Sequence, residues 1–283
     1  MAPPLARAAA GSALMAGKRG LVMGVANERS IAWGIARTLY RYGAELAFTY
    51  QGEAIGRRVT PLAQSVSSDI VLECDVEDEA HLDATFTTIA DKWERLDFVV
   101  HALAFANRDT LKGRYVDTSA GDFARSLSVS CYSFTEIARR AEALMAGGSL
   151  LTLTFEGARR VIPGYNVMGV AKAALEASVR YLAVDLGPAN VRVNALSAGP
   201  VRTLAGSAIG GARRILRTSA ANAPLRRNVR LDEIGAAALY LLSDLSAGVT
   251  GEVHSVDCGY RVTGMAARPP AENESDSYNN STV

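Results

Sequence analysis

Seven short apolar runs separated by longer helix-like stretches constrain this chain more than any other feature of its sequence. They are Gly20–Val25, Glu45–Tyr50, Ile70–Cys74, Phe98–Ala102, Ser149–Thr154, Val191–Ala195 and Glu252–Val256. Several of them (LVMGV, FVVHA, LLTLT) are almost unbroken in their hydrophobicity, the pattern of a strand covered on both faces. The stretches between them are long enough for crossover helices, which parallel strands require. The pattern predicts an α/β fold: a single Rossmann-like, doubly wound parallel seven-stranded sheet with helices on both faces. No repeat or low-complexity linker divides it, so one domain is expected over residues 18–265. Residues 1–17 are Ala-rich and contain no acid, and read as a disordered or processed extension; residues 266–283 are polar and proline-containing, and read as a disordered tail.

Composition matters here for what it excludes. No apolar run approaches the ~20 residues that span a bilayer, so membrane insertion is not expected. Net charge is +1 with acids and bases interspersed, which argues against a nucleic-acid surface and leaves small molecules as the expected ligands. Cys74, Cys131 and Cys258 are odd in number and far apart, and His81, His101 and His254 keep no ligand spacing with them. Neither disulfides nor a metal site is expected, and the compartment should be reducing, hence cytoplasmic.

The first strand runs into GVANERSIAWGIA. Gly24 permits a tight turn, Ser30 sits where a helix N-cap belongs, and Gly34 and Ala36 are small enough for a helix to approach the sheet. Free N–H groups and the positive end of that helix would face a pyrophosphate. The second strand ends at Gln51, with Glu53, Arg57 and Arg58 following. An acid near this point suits the ribose hydroxyls of NAD and an arginine suits the 2′-phosphate of NADP, so the local charge argues both ways. Gln51 itself carries no positive charge, which favours NADH. Asp75 ends the third strand, where it has two readings: a ligand contact or the cap of the next helix. The fourth strand runs into HALAFANR, whose small residues would let a flat ring approach the backbone.

The stretch Leu150–Asp185 passes from strand through loop to a long helix beginning near Asn166. Tyr165 and Lys172 are seven residues apart, about 700° of helical rotation and roughly 10 Å of rise, so on a helix both would project from one face. The cation would favour the phenolate and make Tyr165 a better proton donor to an oxygen gaining negative charge. After the sixth strand, the Gly-, Ala- and Arg-rich stretch through Arg227 reads as a long loop and mobile lid over the site, mobile over about Thr203 to Arg217.

The segments GVANERSIAWGIA, FTYQ, CDV, YNVMGVAKAALE and VRVNALSAGPVRTLA, in this order, resemble the NAD(P)H-dependent enoyl-acyl carrier protein reductases of type II fatty-acid synthesis, a divergent branch of the short-chain dehydrogenase/reductases. The resemblance covers roughly Ala16 to Met265 and is specific: ordinary members of the superfamily place Lys four residues after the Tyr, where this chain has Gly169. It implies that Tyr165 donates a hydrogen bond to the thioester carbonyl oxygen while hydride adds to the β-carbon, and that Lys172 holds the nicotinamide ribose. It further implies cofactor contacts at Gly24, Ser30, Ile31, Gln51, Asp75, Val76, Val201 and Thr203, substrate contacts at Phe155 and Tyr165, an enoyl substrate bound to acyl carrier protein, NADH as cofactor with NADPH as the alternative, and a homotetramer. Two positions depart from the family pattern. Phe155 stands where a second active-site Tyr is usual, and Cys258 stands where Gly is common. The competing readings are a carbonyl or 3-ketoacyl reductase, against which Gly169 speaks, and a catalytically weak dinucleotide-binding paralogue, for which Phe155 is the one support.

Overall fold

A computed structural model describes residues 13–207 and 212–265. Seven strands, β1 (Arg19–Met23), β2 (Glu45–Tyr50), β3 (Ile70–Glu73), β4 (Phe98–His101), β5 (Gly148–Thr154), β6 (Val191–Ala198) and β7 (Val253–Val256), form one sheet in the order β3-β2-β1-β4-β5-β6-β7. Every neighbouring pair is parallel. Each expected strand is present, its ends within a few residues of those read from the sequence.

Side chains alternate across the pleat, and both faces are covered. On β1, Leu21 and Met23 join one core and Val22 joins the other. The first core packs α3 (Glu79–Trp93), α5 (Ser133–Glu142) and α6 (Val167–Leu186) on the sheet through residues such as Phe86, Ile137 and Leu175. The second packs α1 (Ile31–Arg41), α2 (Glu53–Ser65) and α9 (Leu231–Leu242) through Ile35, Val59 and Ile234. Phe48, Phe98 and Phe134 are fully buried; each contributes roughly 1.5–3 kcal/mol by leaving water.

Gly34 works differently from its expected role. A Cβ there would lie 3.0 Å from the Cβ of Leu231, and one on Gly235 would lie 2.2 Å from the Thr38 hydroxyl. These glycines bring α1 against α9 rather than against the sheet. The folded chain also starts before residue 18. Met15 is fully buried in the second core, and its N–H bonds the Tyr42 carbonyl at 3.0 Å. Its apolar side chain is long enough to fill the gap beside the α1–β2 turn, so only residues 1–12 of the expected extension, together with the expected tail 266–283, lie outside the described residues.

Between β4 and β5 the chain forms α4 (Ala120–Leu127) and then a π-helical turn, Ser128–Tyr132, that leads directly into α5. The stretch after β6 is helical where a loop was expected. It contains α7 (Leu204–Ser207) and α8 (Ala212–Asn222), with residues 208–211 of the expected lid outside the described residues. The order of the sheet reverses between β1 and β4. In such sheets a crevice opens at the carboxyl ends of the strands flanking that point, and ligands bind there.

Candidate active site

The turn leaving β1 is built for close backbone approach. Gly24 has φ +98°, and a Cβ on it would lie 2.2 Å from the Ala102 carbonyl oxygen. Ser30 stands at the N-cap of α1 but its hydroxyl does not cap the helix. It accepts instead from the N–H groups of Ala26 (3.0 Å) and Asn27 (3.1 Å), folding the turn back on itself. The first-turn N–H groups of α1 therefore keep their positive end for an incoming anion. Ile31, at that end, lines a cavity of about 1230 Å³.

At the ends of β2 and β3, the Gln51 amide donates to the Asp75 carboxylate at 2.8 Å. The other Asp75 oxygen accepts from the Glu77 N–H (3.0 Å), and the Asp75 N–H donates to His81 Nδ1 (3.2 Å). The cap of α3 is Asp78, which accepts from Ala80 N–H, so Asp75 is free of that duty. Val76 packs half-buried against the first core. Arg57 pairs with Glu53 at 2.5 Å along the exposed side of α2. A carboxylate rather than a free guanidinium therefore stands beside Gln51.

Tyr165 does not lie on the helix. It belongs to the turn before α6, whose N-cap is Asn166 with φ +41°. That left-handed backbone is held by the Asn166 amide, which donates to the Thr110 carbonyl at 3.0 Å. The Tyr165 ring packs between neighbours that fix it. Phe155 meets it edge-on, with centroids 5.1 Å apart and planes at 72°. Gly157 lies so close that a Cβ there would be 2.3 Å from Tyr165 Cδ1. Gly169 in turn faces the Gly157 carbonyl, which a Cβ would approach to 2.7 Å. A lysine at 169 has no room. The segment is anchored by Arg159, which pairs with Glu176 of α6 at 3.1 Å, and by Thr154, whose hydroxyl donates to the same carboxylate at 2.9 Å.

Lys172 projects from the second turn of α6 and is buried. Its ammonium donates to the carbonyls of Leu153 (2.8 Å) and Leu103 (3.4 Å). Burial lowers its pKa to about 8. Burial pushes the Tyr165 pKa up, because apolar surroundings disfavour the phenolate. Tyr165 is accordingly a phenol with its proton in place across the neutral range.

Phe155, Tyr165, Val201 and Thr203 line the same cavity as Ile31. Val201 and Thr203 follow β6, and the Thr203 hydroxyl accepts from the Gly206 N–H at 2.9 Å to start α7. Gln51, Asp75 and Val76 follow β2 and β3 and are not part of the lining of this cavity, nor is Lys172. Sequence reading missed Phe105, Leu111 and Met168, which give the cavity much of its apolar wall. Phe105 was hidden among the small residues after β4. It is held by Ser130 of the π-helical turn, whose hydroxyl accepts from the Phe105 N–H (2.9 Å) and donates to its carbonyl (3.1 Å). Arg125 covers the Phe105 ring at 4.4 Å. Cys258 has φ +57°, a left-handed conformation that explains why glycine suits this position.

The arrangement comprises a cleft at the reversal of strand order and a large cavity lined both by the uncapped terminus of α1, at Ile31, and by the buried phenol of Tyr165. The match of this chain to known proteins agrees with that geometry. Residues 24–261 match the family model described as enoyl-(acyl carrier protein) reductase. A Rhizobium meliloti (strain 1021) protein named enoyl-[acyl-carrier-protein] reductase [NADH] 2 is 61% identical over 253 residues, 89% of this chain and 94% of the relative. A crystal structure of the enoyl-(acyl-carrier-protein) reductase of Anaplasma phagocytophilum in complex with NAD is 55% identical, covers 94% of this chain and 100% of its own, and superposes with a TM-score of 0.88. A Bacillus cereus enoyl-acyl carrier protein reductase with NADP+ and indole naphthyridinone is 51% identical, covers 89% of this chain and 99% of its own, and gives a TM-score of 0.87. From its cleft, its sheet order and these likenesses, the chain belongs to the enoyl-(acyl carrier protein) reductase family.

Proposed function

We propose that this chain reduces the 2,3 double bond of 2-enoyl thioesters carried on acyl carrier protein, using NADH, in fatty-acid elongation. The carrying observation is one cavity that joins the uncapped N-terminus of α1, at Ile31, to the buried phenol of Tyr165. The residues fit a dinucleotide. Gly24 lets the turn off β1 pass close against Ala102, Ser30 shapes that turn, Val201 and Thr203 border the nicotinamide end, and Gln51, Asp75 and Val76 receive the adenosine. The bound cofactor supplies the hydride.

The chain's own residues do the rest. Tyr165 donates a hydrogen bond to the thioester carbonyl oxygen as that oxygen becomes an enolate, an electrostatic stabilisation that acts in the transition state. Lys172 holds the nicotinamide ribose and keeps a positive charge behind the site. Phe155, Met168 and Leu111 take the acyl chain and exclude water. NADH is preferred to NADPH because the Asp75 carboxylate bonded to Gln51 repels a 2′-phosphate and Arg57 is occupied by Glu53. The chain assembles as a homotetramer in the cytoplasm. Tyr181 and Val184 on the outer face of α6, 77% and 75% exposed, give that assembly an apolar surface.

The test is direct. Purified protein with NADH and a 2-enoyl thioester should oxidise the cofactor and yield the saturated thioester, and kcat/KM should be lower with NADPH. Turnover of a 3-ketoacyl thioester with none of the 2-enoyl substrate would contradict the proposal.

A further inference from the structure

Among the described residues no carboxylate pairs with Lys172. Its described hydrogen bonds run to two main-chain carbonyls, Leu153 at the end of β5 and Leu103 just beyond β4. The place of the ammonium therefore depends on how the ends of these two strands lie against each other. One side chain locks them at that level. His101, the last residue of β4 and fully buried, is the register partner of Thr152 on β5. Its Nδ1 lies 2.8 Å from the Thr152 hydroxyl, and its Nε2 lies 2.9 Å from the Ser133 hydroxyl at the start of α5.

Each hydroxyl also reaches a main-chain carbonyl, Ser133 that of Val129 at 2.8 Å and Thr152 that of His101 at 3.3 Å. The neutral imidazole donates through one ring nitrogen and accepts through the other, and in either tautomer it ties β5 on one side to the start of α5 on the other. Its burial and the Lys172 charge lower its pKa to about 3, so no second cation competes beside the ammonium. Leu103 is two residues beyond His101, and Leu153 is the residue after Thr152. A π-turn inside a helix is a feature often found at functional sites, and here it delivers Ser133 to His101.

The geometry points to His101 as a positioning residue: through Thr152 and Ser133 it sets the Leu103 and Leu153 carbonyls, and through them the Lys172 ammonium that receives the cofactor. This assignment rests on the proposed role of Lys172 in holding the nicotinamide ribose. It is tested by a double-mutant cycle on NADH binding, read from cofactor fluorescence on folded protein checked by circular dichroism. Lys172→Met should weaken NADH binding. His101→Leu should weaken it on the order of tenfold, as when an outer partner of a binding residue is lost. The double variant should be no weaker than Lys172→Met alone. His101→Asn, which keeps a hydrogen-bonding group for Thr152, should recover part of the loss. If His101→Leu does not fold, Thr152→Val cuts one bond of the same lock and should show the same non-additivity with Lys172→Met. Losses that multiply in the double variant would mean general destabilisation and overturn the assignment. So would NADH binding within twofold of wild type in the His101 and Thr152 variants while Lys172→Met binds poorly. Unchanged binding in Lys172→Met would remove the role of Lys172, and that of His101 with it, which separates the two failures.

Discussion

Two ionisable groups in the cleft are displaced from their ordinary ranges by burial, and in opposite chemical senses. Burial favours the neutral form of each: it raises the Tyr165 phenol, which keeps its proton, and it lowers the Lys172 ammonium to about 8. The unfolded chain holds the Lys172 proton up to the ordinary value near 10.5 and the folded chain only to about 8. Between those values the unfolded state binds more protons, so this group's contribution to stability rises with pH across that window. The charge needed for the cofactor disappears over the same range. Thus kcat/KM is expected to fall as pH passes about 8 while stability gains from this group. A pH–rate profile flat to pH 10 would remove Lys172 as the charge in question. At Phe155 the missing hydroxyl leaves an edge-on ring contact with Tyr165. Phe155→Tyr is expected to change KM and the preference among acyl chain lengths more than kcat; a large kcat change with constant KM would show that the group at 155 acts in the chemical step.

At the scale of elements, the turn before α6 carries the site more than the helix does. Helical spacing would have put Tyr165 and Lys172 on one face, but Asn166, with φ +41°, breaks the chain between them, and Tyr165 is set by Gly157 and Phe155 instead. Gly157, just after β5, and Gly169, on α6, are both space-limited. Gly157→Ala brings a methyl within 2.3 Å of the Tyr165 ring, so the ring must move. Displacing a reacting group by about 1 Å can cost on the order of a hundredfold in rate. A fall in kcat of about ten- to a hundredfold is expected, with NADH affinity preserved. Gly121→Ala, on α4 with nothing near the added methyl, is the control and should keep its rate. Equal rates in both variants would show that the packing of Tyr165 on Gly157 does not set the catalytic geometry.

For the whole molecule, the sheet was legible because its strands are buried on both faces, and continuous apolar runs such as FVVHA have few other places to go. The turn into α1 was legible by its small residues, whereas the helical spacing read for Tyr165 and Lys172 does not hold, because Tyr165 lies before α6. What stayed hidden depends on contacts between distant segments. No local pattern pairs His101 with Ser133, turns Ser130 toward Phe105, or shows that Gly169 faces the Gly157 carbonyl. Helix α7 was missed because it is only four residues long and includes a glycine, α8 because the Gly-rich run before it made the whole stretch read as a loop, and Met15 because a single buried residue before the first strand has no pattern at all.

The claim on which these readings converge is that Tyr165 stabilises the oxygen of a 2-enoyl thioester while NADH reduces it. The measurement that tests it most directly is the single-turnover rate of NADH oxidation by a 2-enoyl thioester, in the wild-type chain and in Tyr165→Phe. A loss of about 3 kcal/mol, on the order of a hundredfold in rate, is expected for one such donor, with the NADH dissociation constant unchanged. A variant that turns over at the wild-type rate would contradict the assignment.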